Sequence, residues 1–157
     1  MRLALFQPDI PQNLGAAIRL CACLGVNLDV IEPCGFPISD KNLGRVAMDY
    51  GKLAQIQRHN SWIDFQAAPE RGRGRLVILT TNAQASLYDF SFQTGDTVML
   101  GRESAGLPPE VHSAAEARLH VPMVAGARSL NVIITGAMAL SEALRQTGNF
   151  ANSDLQA

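Results

Sequence analysis

The sequence predicts an α/β domain with a mostly parallel sheet flanked by helices, and three observations predict it. Short, nearly continuous apolar runs recur along the chain, such as "RLALFQ" at 2–7 and "RLVILTT" at 75–81. Strands buried on both faces read this way, because neither face alternates toward water. Segments with helical spacing separate these runs, and strand–helix alternation is the pattern of a parallel sheet with crossover helices. Gly, Pro and small polar residues punctuate the junctions, where the chain must turn.

Taken in order, Arg2–Gln7 is a first strand. "NLGAAIRLCACLG" (13–25) is a helix, with Asn13 as its N-cap and Gly25 as its C-terminal stop. "NLDVIE" (27–32) is a second strand, and "DKNLGRVAMDY" (40–50) a short helix opened by Ser39 or Asp40. "AQIQR" (54–58) is a modest strand, "SWIDFQAA" (61–68) a short helix, and "APERGRGR" (68–75) a loop. The run at 75–81 is the strongest strand, and "GDTVMLG" (95–101) is another behind a Gly-Asp turn. "LPPEVHSAAEA" (107–117) is a helix with proline in its first turn, where a missing N–H costs nothing. "RLHVPM" (118–123) is a last strand, ended by Pro122. The terminal helix is "GARSLNVIITGAMALSEALRQ" (126–146), with Leu130, Ile133, Ile134, Ala137, Met138 and Leu144 at helical spacing.

A chain of 157 residues, 47% hydrophobic and 17% charged, has the length and apolar content of one ordinary domain. That domain is expected over 1–150, with "ANSDLQA" (151–157) as a flexible tail. The apolar start is stopped at Gln7 and Pro8 and lacks a small-residue cleavage site. No run reaches the ~18 uninterrupted apolar residues of a membrane span. These features predict a cytoplasmic chain without a membrane partner. Cys21, Cys23 and Cys34 show neither Cys-x-x-Cys spacing nor a His pair at ligand spacing, so free thiols and no metal are expected. "CAC" within a helical pattern puts Cys21 and Cys23 on different faces. A net charge of −1 offers no global positive field for nucleic acid, yet the basic residues are eleven Arg against two Lys. Arginine suits bidentate phosphate contacts, and paired subunits can assemble a local basic surface from Arg45, Arg58, Arg71, Arg73, Arg75 and Arg128.

Ligands of parallel sheets sit beyond the carboxyl ends of the strands. The first such loop, "QPDIPQNLG", has one glycine and two prolines. A dinucleotide turn needs G-x-G-x-x-G, and a phosphate loop needs G-x-x-x-x-G-K-[ST]. Neither is present, which argues against nicotinamide, flavin and phosphate-loop chemistry even though Glu32 ends the second strand. The last three junctions, "LTTNA", "LGRESAGLP" and "VPMVAGARSLN", are small or polar and rich in backbone donors. Gly101, straight after a strand, is expected to let a flat ligand lie against the main chain. Ser129 sits where a helix N-cap would, beside amides that favour an electron-rich ligand. Each loop alone is an ordinary turn; three of them late in the chain converge on a site.

"NLGAAIR" (13–19), "LGRESAGLP" (100–108) and "VPMVAGARSLNV" (121–132) resemble, in that order, the three motifs of the SPOUT methyltransferases. The flanks carry the likeness over nearly the whole chain. "LFQPDIPQNLGAAIRLCACLGVNLDVIEPCGFPISDKNLGRVAMDY", "RLVILTT" and "EALRQ" are similar to the minimal, single-domain tRNA (cytidine(34)-2'-O)-methyltransferase subgroup. The resemblance implies a C-terminal deep trefoil knot and S-adenosyl-L-methionine bound in it. It implies methyl transfer to a tRNA ribose 2'-oxygen at wobble nucleotide 34, cytidine or modified uridine. It also implies a homodimer whose site forms between subunits that together grip the anticodon stem-loop. A non-catalytic RNA-binding dimer on the same scaffold and a ribosomal RNA 2'-O-methyltransferase are the alternatives.

Residue by residue, the likeness implies a catalytic set of Arg19, Asn13, Glu103, Ser129 and Asn131. Arg19 follows Asn13 by about 1.7 helical turns, so the two converge only on a substrate that crosses the helix end. A guanidinium keeps its proton in proteins. Arg19 is therefore expected to clamp the phosphate beside the target ribose and support the developing alkoxide, with Arg128 as a second phosphate contact. Glu103 is expected to face the sulfonium or accept from a sugar hydroxyl. Leu79, Thr80, Gly101, Val121, Met123, Ser129 and Leu130 are the implied cofactor contacts, supplying an apolar slot and main-chain groups for adenine. Ser141 departs from the pattern, since relatives carry a tyrosine before the "EA" pair.

Overall fold

The structure, a computed structural model, describes residues 1–38, 50, 53–72 and 74–150. Its strands are β1 (Arg2–Phe6), β2 (Asn27–Ile31), β3 (Ile56–His59), β4 (Leu76–Leu79), β5 (Ala85–Ser86), β6 (Thr97–Leu100) and β7 (Ala117–His120). They form one sheet in the order β3-β2-β1-β6-β4-β7-β5, and every pairing is parallel. Among the described residues the α-helices are α1 (Pro11–Leu24), α2 (Trp62–Ala67), α3 (Pro109–Ala114) and α4 (Val132–Thr147).

Both faces of the sheet are covered, which is why its strands are apolar without alternation. Leu3 and Leu5 of β1 pack with Leu14 and Ile18 of α1 and with Leu140 and Leu144 of α4. Ala4 and Phe6 face the other way, toward Phe65 of α2 and Val111 of α3. Each fully buried aliphatic side chain contributes roughly 1.5–3 kcal/mol. One strand carries a buried carboxylate, Asp29 of β2. It is tolerated because Arg2 donates to both its oxygens, at 2.6 and 2.8 Å, and His59 Nε2 lies 2.7 Å away.

Two helix starts differ from the sequence reading. Asn13 is not the N-cap of α1. Ile10 occupies that position without a side-chain bond and Pro11 opens the helix, because proline presets the helical φ and needs no N–H partner. Asn13 is left free to bond elsewhere. The terminal helix begins at Val132, not at 126, and its cap is Asn131, not Ser129. Asn131 Oδ1 accepts from the amides of Ile133 and Ile134, at 2.9 and 3.3 Å. These amides are therefore already used. Leu130 precedes the helix and is exposed, and Ile134 faces solvent within it. Gly25, at φ +66°, closes α1 as read.

β7 ends at His120, before Val121 and Pro122. β5 was illegible in sequence, since two residues carry no periodicity. A 3-10 turn, Pro69–Arg71, interrupts the stretch read as loop. The helix read over 40–50, the residues Arg45 and Arg73, and the tail 151–157 lie outside the described residues apart from Tyr50. Among the described residues no helix is long and apolar enough to cross a membrane.

Two features set the geometry at the carboxyl edge of the sheet. β7 lies between β4 and β5, although these two are consecutive in the chain. Gln7, directly after β1, has φ +46°, a left-handed conformation that a non-glycine residue adopts only when its surroundings require it. The turn aims Pro8 and Asp9 across the end of the sheet.

The thiols report on the faces of α1. Cys21 is fully buried and burial pushes it up to about 12; burial likewise pushes the half-buried Cys34 up to about 12. Cys23 is exposed. A disulfide-exchange reagent at pH 8 should therefore label Cys23 quickly and the partly exposed Cys34 slowly in the folded protein, and Cys21 only after unfolding in urea. Rapid labelling of Cys21 would contradict the packing of α1.

Candidate active site at the carboxyl ends of the strands

Four adjacent strands, β1, β6, β4 and β7, end on the same edge of the sheet. The segments leaving them enclose a cleft of about 700 Å³. Strand-end residues Leu79, Leu100 and Val121 form apolar wall. The segment from Pro122 to Leu130 runs exposed along the opening.

A hydrogen-bond relay ties three of these segments together. One oxygen of Glu103 accepts from the Asp9 amide at 2.8 Å, and the other from Asn13 Nδ2 at 2.8 Å. Asn13 Oδ1 in turn accepts from Asn131 Nδ2 at 3.2 Å. The Oδ1 of the same Asn131 caps α4. The relay passes from the loop after β1, through the loop after β6, to the start of the last helix. Asn13 is buried, so water cannot replace these bonds, and those to the carboxylate are charge-assisted.

A second clamp reinforces the first. Asp9 accepts from the Ser104 hydroxyl, from the Ser104 amide at 3.1 Å and from Arg102 Nη2 at 2.9 Å. The Ser104 hydroxyl, followed by the Arg102 guanidinium, holds the Asp9 carboxyl down to about 2. The loop after β6 is closed on itself by paired 2.9 Å bonds between the Arg102 and Gly106 main chains. A Cβ on Gly101 would stand 2.6 Å from the Gly106 carbonyl carbon. The glycine is thus required by its own loop, and it also lines the cleft, where the sequence reading has a ligand lie against its main chain.

The seven residues read as cofactor contacts, Leu79, Thr80, Gly101, Val121, Met123, Ser129 and Leu130, all line this cleft. Asn13, Glu103 and Asn131 line it too. Glu103, read as facing a sulfonium or a sugar hydroxyl, lines the cleft while each of its oxygens also accepts one bond of the relay. Arg19 and Arg128 are exposed and are not lining residues of the cleft, nor is Ser141, which is exposed on α4. Of the arginines read as a basic surface, Arg58 pairs with Glu32 at 2.9 Å and Arg75 with Asp96 at 2.7 Å.

Sequence reasoning missed Asp9, Arg102 and His120. Asp9 and Arg102 are 93 positions apart, so nothing local signals their pairing. His120 lines the cleft, and its buried Nδ1 has no hydrogen-bond partner among the described residues.

The relay generates two predictions. Glu103→Gln sets an amide N–H against a donor and should cost about 1–3 kcal/mol in urea unfolding; a value near zero would show that the relay carries little stability. For Asp9, a carboxyl held below its unfolded value stabilises fully above the unfolded value and loses that contribution as pH falls through the folded one. The stability gap between wild type and Asp9→Ala should be constant from about pH 5 to 8 and shrink between about pH 4 and 2. A gap unchanged at pH 2 would contradict the clamp.

Residues 1–141 match the SpoU rRNA Methylase family. The tRNA (cytidine(34)-2'-O)-methyltransferase of Beijerinckia indica is 51% identical over 95% of this chain and 93% of its own length. The enzyme of the same name from Escherichia coli K12 is 38% identical over 94% of each chain. A structure solved to explain 2-OH methylation of C/U34 on tRNA superposes with a TM-score of 0.85 at 39% identity, over 92% of this chain and 94% of that one. An AdoMet-bound rRNA methyltransferase from Sinorhizobium meliloti superposes at 0.80 with 26% identity, over 92% of this chain and 55% of that one. With its three sequence motifs drawn into one cleft and these likenesses spanning it nearly end to end, the chain belongs to the SpoU methylase family.

Proposed function

We propose that this protein transfers a methyl group from S-adenosyl-L-methionine to the 2'-oxygen of the ribose at wobble nucleotide 34 of tRNA, cytidine or modified uridine. The observation that carries this reading is the Glu103–Asn13–Asn131 relay, which draws all three motif segments onto one cleft in a chain 51% identical to an enzyme named for that reaction.

The cleft suits the donor. Its volume of about 700 Å³ lies within the usual ~300–1,000 Å³ of small-molecule sites. Leu79, Val121 and Leu130 offer apolar wall for adenine, and the Thr80 and Met123 main chains offer polar groups for its edge. Bound there, S-adenosyl-L-methionine supplies an electrophilic methyl group. A neutral ribose hydroxyl is a weak nucleophile, so the protein has to fix it in line and stabilise the charge it develops. Arg19 supplies that positive charge and holds the neighbouring phosphate; Arg128 adds a second phosphate contact. Glu103, Asn13 and Asn131 keep the loops in register. Ser129, exposed at the rim, contacts donor or ribose.

Arg19 stands outside the cleft lining of its own subunit, which fits a site completed by a second copy. Exposed Ile10, Met123, Val124, Leu130 and Ile134 on the segments around the cleft offer apolar surface for a homodimer. The anticodon stem-loop would then meet arginines from both subunits. The position of β7 between β4 and β5 supports a C-terminal segment threaded as a deep trefoil knot, within one domain over 1–150. A tRNA substrate implies a cytoplasmic enzyme.

Incubating the protein with labelled donor and total tRNA should mark nucleotide 34. Arg19→Ala should lower the rate about 10²–10³-fold, the usual cost of removing one transition-state charge contact. Equal activity in wild type and variant would refute the role of Arg19. Methylation of ribosomal RNA with none of tRNA would overturn the substrate assignment, and donor binding with no product on either RNA would favour a non-catalytic dimer.

A further inference from the structure

Arg19 is held unlike most other described arginines. Arg2, Arg58, Arg75, Arg102 and Arg145 are each paired with a carboxylate. No carboxylate among the described residues pairs with Arg19. Its guanidinium carbon stands 4.9 Å from the centroid of the Tyr50 ring. The main chain of Tyr50 is held: its carbonyl accepts from the Leu53 and Ala54 amides, both at 3.0 Å.

The two ways of holding an arginine differ in their consequence. A carboxylate fixes the guanidinium but cancels its charge, and competes with any phosphate for the same N–H groups. An aromatic face attracts the cation through its quadrupole, adds no counter-charge and leaves the in-plane N–H groups free. An exposed arginine with no partner would keep its rotamer freedom and lose it on binding. The cation–π contact with Tyr50 removes part of that freedom beforehand while the full charge survives.

We infer that Tyr50 is a positioning residue for the reaction: its ring pre-orients the Arg19 guanidinium, with its charge intact, for the phosphate and the developing alkoxide. This rests on the proposed role of Arg19 at the target ribose. The ring face matters here and the phenolic oxygen does not. Tyr50→Phe should therefore match wild type, whereas Tyr50→Leu should leave Arg19 present but unheld.

The test compares wild type, Tyr50→Phe, Tyr50→Leu, Arg19→Ala and the Tyr50→Leu/Arg19→Ala double variant. It measures steady-state methylation of tRNA, tRNA affinity without donor, and thermal unfolding. Tyr50→Phe should keep kcat within about twofold of wild type. Tyr50→Leu should lower kcat about tenfold and weaken tRNA about threefold, with KM for the donor unchanged. In the Arg19→Ala background the same substitution should cost nothing more. If the leucine variant melts early, Tyr50→Gln takes its place. Wild-type kcat in Tyr50→Leu, an additive loss in the double variant, or equal damage from Tyr50→Phe would each overturn the inference while the role of Arg19 stands. Full activity of Arg19→Ala would instead bring down the reading of Arg19, and this inference with it.

Discussion

The carboxylate of Glu103 accepts hydrogen bonds from segments that lie 90 and 94 positions earlier in the chain, one on each oxygen. Everything at the carboxyl edge of the sheet depends on that double acceptance. The loop after β1 has no regular structure of its own, begins with a residue at positive φ and contains Pro8. Without the Glu103 carboxylate as acceptor for the Asp9 amide and the Asn13 side chain, nothing local would select its path. Asn13 extends the constraint to Asn131, and Asn131 sets where α4 begins. A substitution at any one member leaves a donor or acceptor of another facing nothing, so the relay acts as a unit.

This arrangement divides polar chemistry between support and function. Glu103 and Asp9, carboxylates at the cleft's edge, accept from main-chain amides, Asn13, Arg102 and Ser104. Carboxylates so engaged hold loops rigid and leave a cleft walled by strand ends and a closed glycine-containing turn. Positive charge is treated in the opposite way. Most described arginines are neutralised by ion pairs, while Arg19 rests on an aromatic ring. The role proposed for Arg19, toward an anionic backbone and a developing oxyanion, needs charge that is oriented and not cancelled.

Much of the fold was legible because burial on both sheet faces leaves a strong local trace. "LVIL" and "TVML" could not sit at a surface, and each became a fully buried strand. Gly25 closed its helix because αL geometry favours glycine. The errors have an equally local origin. Asparagine is a good cap, so Asn13 near a helix start was read as one; the proline two residues before it had already set the boundary. Ser129 and Asn131 are both capable caps, and local preference does not choose between them. Only the bond from Asn131 to Asn13 across 118 positions does.

The sequence by itself therefore determined the class of fold, the segments that form the cleft and the family, because periodicity and motif order are local or sequential properties. It did not determine which polar side chains support the loops and which remain free to act. Asp9 with Arg102, Glu103 with Asn13, and Arg19 with Tyr50 are pairings between distant parts of the chain. A side chain's role depends on the partner that satisfies it, and only the packed tertiary structure decides who that partner is.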